Sequence, residues 1–260
     1  MRPHLAAIYA FARAADDFAD EPHRDAAERL RLLDEWSEKL HRTIRAEPVP
    51  DPVFVALGAT IRCCDLPVTL FDDLLSAFRQ DVTVHRYRTW SDVLDYSRRS
   101  ANPVGRLVLR VAGVSDAATE QASDSLCTAL QLTNFWQDFG RDWSTGRLYV
   151  PREEIEKGGA DEGHLRASHL DKAWKGVIRA CVVRTRELFE RGRPVTDGVR
   201  GRLRLELRAT WLGGSRILDK IEALDYDVLH ARPSLTLVDA LDILPRTLLW
   251  KNREHVARSP

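Results

Sequence analysis

Apolar residues recur every three or four positions along nearly the whole chain, a period that suits an α-helix and not a strand. Residues 5–19, 26–44, 52–63, 69–82, 90–111, 117–143, 167–191, 199–223 and 234–256 all carry it. Ala, Leu, Arg and Glu dominate these stretches, and such side chains lose little freedom in a helix. Pro or Gly stands at the breaks: 47–52, 66–67, Gly113, Gly158 with Gly159, 192–194 and 232–233. The Val, Ile and Thr alternation of a sheet is missing, and only residues 147–151 read as extended. The pattern predicts a single all-α domain over 1–260, a bundle of about nine helices with a central cavity built from facing side chains.

Composition narrows the function classes. With 39 acids against 39 bases the chain lacks the cationic excess that phosphate backbones demand, so nucleic acid is not an expected partner. Residues 1–140 hold 21 acids and 16 bases and residues 141–260 hold 18 and 23, so a basic surface, if there is one, belongs to the second half. The longest apolar run, 5–12, is 8 residues, far short of a bilayer span. No leader for export is recognisable. Cys63, Cys64, Cys127 and Cys181 lack metal-type spacing and read as free thiols, mostly core filler, in a reducing cytosol. His164 and His169 are spaced wrongly for two ligands on one helical face, and no nucleotide loop or serine-hydrolase elbow is present.

Two acidic turns carry the chemistry. Asp16 with Asp20, and Asp138 with Asp142, each stand four residues apart, which puts both carboxylates of a pair on one helical face. That spacing arises about six times by chance in a chain this acidic, usually on a solvated face. The neighbours are less ordinary. Stepping back along each face gives Arg13, Tyr9 and Leu5, then Asn134, Gln131 and Cys127, which read as polar tips on apolar walls. Carboxylates gathered there repel unless a cation joins them. Oxygen donors with no Cys or His favour Mg²⁺, which binds a few carboxylates together with substrate phosphate oxygens. Arg13 and Arg147 are the guanidinium groups best placed in sequence to share a diphosphate.

These motifs resemble those of the squalene and phytoene synthase family, and the likeness covers nearly the whole chain. Its first aspartate-rich motif is matched by Asp16-Asp17-Phe18-Ala19-Asp20 and its second by the run from Asn134 to Asp142. Arg147-Leu148-Tyr149-Val150-Pro151 is similar to the continuation that follows it. The resemblance implies the all-α isoprenoid synthase bundle and a prenyl diphosphate substrate. It also implies Mg²⁺ on Asp16, Asp20, Asp138 and Asp142 with help from Asn134. Tyr9, Arg13, Gln131, Arg147 and the catalytic-site Tyr149 would line the diphosphate end. In relatives a segment with phosphate-contacting serine or histidine precedes the first aspartate helix. Here Met1 stands almost at that helix, so the expectation is a late start or a shortened form, with one pocket wall missing.

Within the family, 96–105 departs from the squalene and phytoene pattern: Arg99 stands at a tyrosine position and Ser100-Ala101-Asn102 replaces Val-Ala-Gly. With Trp136-Gln137-Asp138 and the stretch from Leu205 to Trp211, this looks like the bacterial hopanoid-pathway branch. That branch implies a lyase that ionises presqualene diphosphate, rearranges the cation and captures water as hydroxysqualene, without a nicotinamide cofactor. Enzymes acting before and after it in that pathway would be its partners in sequence. The alternatives are a head-to-head prenyl transferase and a scaffold without catalysis. Asn102 and Ser100 are candidates to hold the attacking water; helix packing is the other reading of Asn102. Arg99 reads as a solvent or salt-bridged group, or one facing the diphosphate. Phe135, Trp136 and Phe139 are candidates to flank a carbocation. The nine arginines from Arg179 to Arg208 read as a solvated helix face, and reversible contact of a cytoplasmic chain with anionic lipid at the inner membrane face would suit a thirty-carbon substrate.

Overall fold

The computed structural model describes residues 1–21 and 23–250. They form helices joined by short turns, with one isolated parallel bridge, Arg86 to Leu148, where the sequence suggests an extended piece. In chain order the helices are α1 (Arg2–Asp20), α2 (Ala26–Ile44), α3 (Pro52–Cys64), α4 (Val68–Thr83), α5 (Trp90–Ser100), α6 (Asn102–Val111) and α7 (Ala117–Gln137). There follow α8 (Phe139–Ser144), α9 (Arg152–Gly158), α10 (Glu162–Arg166), α11 (Lys172–Gly192), α12 (Val195–Gly198), α13 (Gly201–Ala223) and α14 (Leu237–Leu248). Acidic side chains start many of them. Asp25, Asp51, Asp116 and Asp171 accept from backbone N–H groups at the N-termini of α2, α3, α7 and α11, and Thr89 with Asp92 forms a capping box on α5.

Fourteen helices among the described residues replace the expected nine or so, because two long periodic stretches break and short turns between the others close into helix. The 90–111 stretch breaks at Ala101: Pro103 has no N–H to give to the carbonyl of Arg99, and α6 starts afresh at Asn102 with Pro103 in its first turn. The 117–143 stretch breaks at Asp138, where φ −96° and ψ 8° end α7 and begin α8. The expected 234–256 helix is α14 up to Leu248, and residues 251–256 lie outside the described residues.

Two large hydrophobic cores form among the described residues, beside a small third cluster of Leu109, Val199 and Leu203. Phe11, Leu33, Trp36, Phe54, Leu57 and Phe71 unite α1 to α4, with Phe11 edge-on to Phe54 and Phe71. Leu132, Trp136, Trp174, Ile178, Phe189 and Leu218 unite α7, α11 and α13. Helix α4 belongs to both: Ala77 packs into the second core and Val82 into the first. The arginines of 179–208 do not make one solvated face. Arg184 lies 4.5 Å over the Trp90 ring, Arg193 lies 4.2 Å over Trp250, and Arg186 pairs with Asp219 and Glu222. Among the described residues, no helix is long and apolar enough to cross a membrane.

Candidate active site

The seam between the two cores collects the acids. Asp16, Asp17 and Asp20 occupy the last turns of α1, whose C-terminus already carries partial negative charge and has no basic residue in its last turn. Arg13 answers two of them, at 2.9 Å from Asp16 and 2.7 Å from Asp17. Burial, then the charge of Asp20, raises the Asp16 carboxyl above its ordinary value despite Arg13. Across the seam, Asp142 on α8 is pushed up to about 6, first by burial and then by the charge of Asp138.

Arg147 joins the two turns. Its guanidinium is 3.3 Å from the Asp20 carboxylate and 3.5 Å from the Asp81 carbonyl, and its charge also acts on Asp16 and Asp142. It can reach them because the chain is extended there. Arg147 and Tyr149 share one side, while Leu148 and Val150 turn into the core at 2% and 1% exposure. Leu148 N–H donates to the His85 carbonyl at 3.0 Å and Arg152 N–H to that of Tyr87 at 3.0 Å, so the segment is tied to residues 85–87.

Asp138 has other partners. Asn134 Nδ2 donates to it at 2.9 Å, Arg232 forks onto both its oxygens, and Arg141 stands 3.7 Å away. Gly140 permits this, because its N–H donates to the Val228 carbonyl at 3.2 Å and a Cβ there would lie 2.2 Å from the Leu229 carbonyl oxygen. The returning chain at 226–233 therefore packs directly on the second acidic turn.

Below the acids lies an aromatic wall. Tyr149 stacks on Phe135 at 3.8 Å and 5°, and Tyr87 and Tyr96 complete the group at 5.7 to 6.2 Å. The Tyr96 hydroxyl interacts with Asp81, a half-buried carboxyl of α4 that desolvation pushes up to about 6. Burial drives all three phenols further above their ordinary range, so they remain protonated. Asp81, Tyr87 and Arg232 are absent from the site residues singled out in the sequence, and Tyr96 enters there only as the start of the 96–105 stretch. A lone Asp in Gln-Asp-Val has no partner at helical spacing to flag it, and Arg232 lies 94 positions from Asp138.

Other expectations fall elsewhere. Tyr9 is 68% exposed, apart from the cluster, and the buried face of α1 is Ala7, Ile8, Phe11, Ala15 and Ala19 rather than the aspartate face. That face is more open than the polar-tip-on-apolar-wall reading expects: Tyr9, Arg13 and Asp20 are exposed and Asp16 is half-buried. Gln131 is half-buried on α7, and Asn134 is exposed beside Asp138. Asn102 is buried and accepts from Thr128 at 3.0 Å, which ties α6 to α7; the nearby Ser100 hydroxyl is buried without a partner. Arg99 is salt-bridged: it holds Asp95 at 2.9 Å, Ser76 at 2.8 Å and the side-chain oxygen of Gln80, and the Gln80 amide in turn donates to Tyr87 at 3.2 Å. Trp136 donates to Thr185 at 2.9 Å and Phe139 packs on Trp174, so both are core side chains, whereas Phe135 faces Tyr149. A groove of about 620 Å³ runs beside this site between α7 and α13, with Asn134 and Gln137 among its polar residues and Leu130, Ile217 and Leu235 among its apolar ones.

The donor set fits a hard divalent cation. Asp16, Asp20, Asp138, Asp142 and Asn134 can each present an oxygen, and burial, then the neighbouring carboxylate, raises Asp16 and Asp142, a penalty that a bound cation would relieve.

A family model described as squalene/phytoene synthase matches residues 1–239. The chain is 36% identical over 236 residues to the hydroxysqualene synthase of Rhodopseudomonas palustris, covering 89% of this chain and 79% of that protein. It is 38% identical over 193 residues to the hydroxysqualene synthase of Zymomonas mobilis, covering 73% and 63%. The crystal structure of squalene synthase HpnC from Alicyclobacillus acidocaldarius superposes with a TM-score of 0.82 at 41% identity, covering 86% of this chain and 84% of that one.

Proposed function

The chain belongs to the squalene/phytoene synthase family of enzymes, and on that premise we propose that it converts presqualene diphosphate to hydroxysqualene in a Mg²⁺-dependent reaction. The observation that supports this reading is Arg147, which pairs with Asp20 of the first acidic turn and whose charge also acts on Asp142 of the second, with the stacked rings of Tyr149 and Phe135 beside it.

Asp16, Asp20, Asp138, Asp142 and Asn134 hold the metal in this reading. Bound there, Mg²⁺ neutralises the diphosphate and eases its departure. Arg147 and Arg13 take diphosphate oxygens, which requires them to exchange part of their pairing with Asp20, Asp16 and Asp17. The C–O bond breaks with its electron pair leaving on the diphosphate, and the cyclopropylcarbinyl cation rearranges. The π faces of Phe135 and Tyr149 favour positive charge beside them. The protonated phenols of Tyr87, Tyr96 and Tyr149 present no base to strip a proton from the cation and end it as an alkene. Water then adds through oxygen, and the resulting oxonium passes one proton to the departed diphosphate. The apolar groove between α7 and α13 suits the hydrocarbon tails.

Product identification tests the reading. Presqualene diphosphate with Mg²⁺ is expected to yield hydroxysqualene, and Asp138→Asn to lower kcat roughly a hundredfold or more with the helix signal intact. Condensation of farnesyl diphosphate alone into a thirty-carbon product would replace the lyase by a head-to-head transferase. Full inactivity of the folded wild-type chain on both substrates would leave the scaffold.

A further inference from the structure

At the opposite end of α1 from its aspartates, His4 faces the last turn of α3, where Cys63 and Cys64 stand side by side as free thiols. A ring nitrogen and the two sulfurs all lie within 4.8 Å of one another. The imidazole is oriented. Its Nδ1 is 3.1 Å from the hydroxyl of buried Thr60, which leaves Nε2 turned to Cys63 Sγ at 4.0 Å. A ring nitrogen tied to a polar group while the other faces outward is how metal-ligating histidines are commonly held. The sulfurs also stand at the C-terminus of α3, where unpaired carbonyls favour a cation. Arg62, the basic residue of that turn, reaches back toward Gly58. Cys63 is exposed and Cys64 half-buried, so an ion can enter from solvent.

We propose that His4, Cys63 and Cys64 form a second metal site, for a thiophilic d¹⁰ cation, Zn²⁺ or Cu⁺, that fastens the start of α1 to the end of α3. Two sulfurs and one nitrogen make a soft donor set, which excludes Mg²⁺ and Ca²⁺. Three donors complete a trigonal Cu⁺ site and leave a fourth position for water on Zn²⁺. As each sulfur takes the metal, its thiol gives a proton to solvent. The site shares no residue with the oxygen cluster at the other end of α1, so it stands or falls apart from the proposed reaction.

The test uses the full chain kept reduced with a phosphine, with Co²⁺ as the spectroscopic probe. One equivalent is expected to give sulfur-to-cobalt charge-transfer absorption, which Zn²⁺ and Cu⁺ displace. The Cys63→Ser/Cys64→Ser double variant is expected to lose that absorption, and His4→Gln to weaken Zn²⁺ affinity at least about tenfold. Thr60→Val keeps the three ligands but frees the ring, so it is expected to keep the absorption while lowering affinity. Zn²⁺ is further expected to raise the Tm of the wild type above its own metal-free value and to leave the Tm of the double variant at its own metal-free value. Absence of the charge-transfer band in the wild type, or its persistence in the double variant, overturns the proposal.

Discussion

Burial raises two carboxyls beside Arg147 by more than its charge lowers them, and this has a measurable consequence. Asp81 and Asp142 are pushed to about 6 from an ordinary value of 3.8. Between those values the folded chain holds more protons than the unfolded one, so stability falls as pH rises through that window. After allowance for solvent screening the loss is on the order of 1 kcal/mol per group. Urea midpoints of the metal-free protein, compared with an Asp81→Asn/Asp142→Asn double variant, should diverge in favour of the variant between pH 4.5 and 7; parallel profiles would refute the electrostatic account. Asp138 behaves differently because Arg232 lies on it. An exposed pair of this kind is worth about 0.2 to 1 kcal/mol. Arg232→Gln should therefore lower the half-saturating Mg²⁺ concentration about two- to fivefold, read by metal titration of activity, and an unchanged value would mean that the pair does not compete with the metal.

Helix boundaries show how far local pattern reaches. The cap residues Asp25, Asp51, Thr89 and Asp116 are readable because a cap and its helix are neighbours in sequence. The end of α7 is not. Residues 117–143 keep a helical period through Asp138, and the break comes from a distant carbonyl, that of Val228, taking the N–H of Gly140. Gly140→Ala brings a Cβ to 2.2 Å from the Leu229 oxygen, so the returning chain must shift. The expected cost is about 1 to 3 kcal/mol, with Arg232 carried off Asp138. A lowered Tm together with tighter Mg²⁺ dependence checks this; a Tm equal to wild type would show that the 226–233 segment is not seated on the acidic turn.

The whole molecule is organised as two cores with the acids at their seam, α1 and α4 on one side and α7 with α8 on the other. A ligand that bridges both sides binds the folded state alone and should stabilise it as a unit. Inorganic diphosphate with Mg²⁺ at a hundred times its dissociation constant is expected to add about 2.7 kcal/mol and to raise Tm. Scanning calorimetry with diphosphate alone, Mg²⁺ alone and both together reads the effect, and a joint shift no larger than either single one would deny that the two acidic turns share a ligand. The sequence by itself determined the all-α class, the family and the acidic turns, because helical period and four-residue spacing act between neighbours and need no knowledge of the rest of the chain. Tertiary structure alone decided which charges meet. Arg147 reaches Asp20 across 127 positions and Arg232 reaches Asp138 across 94, and Asp81 joins them only because α4 packs into both cores. Coulomb energy depends on distance in space, and a local pattern carries no record of it.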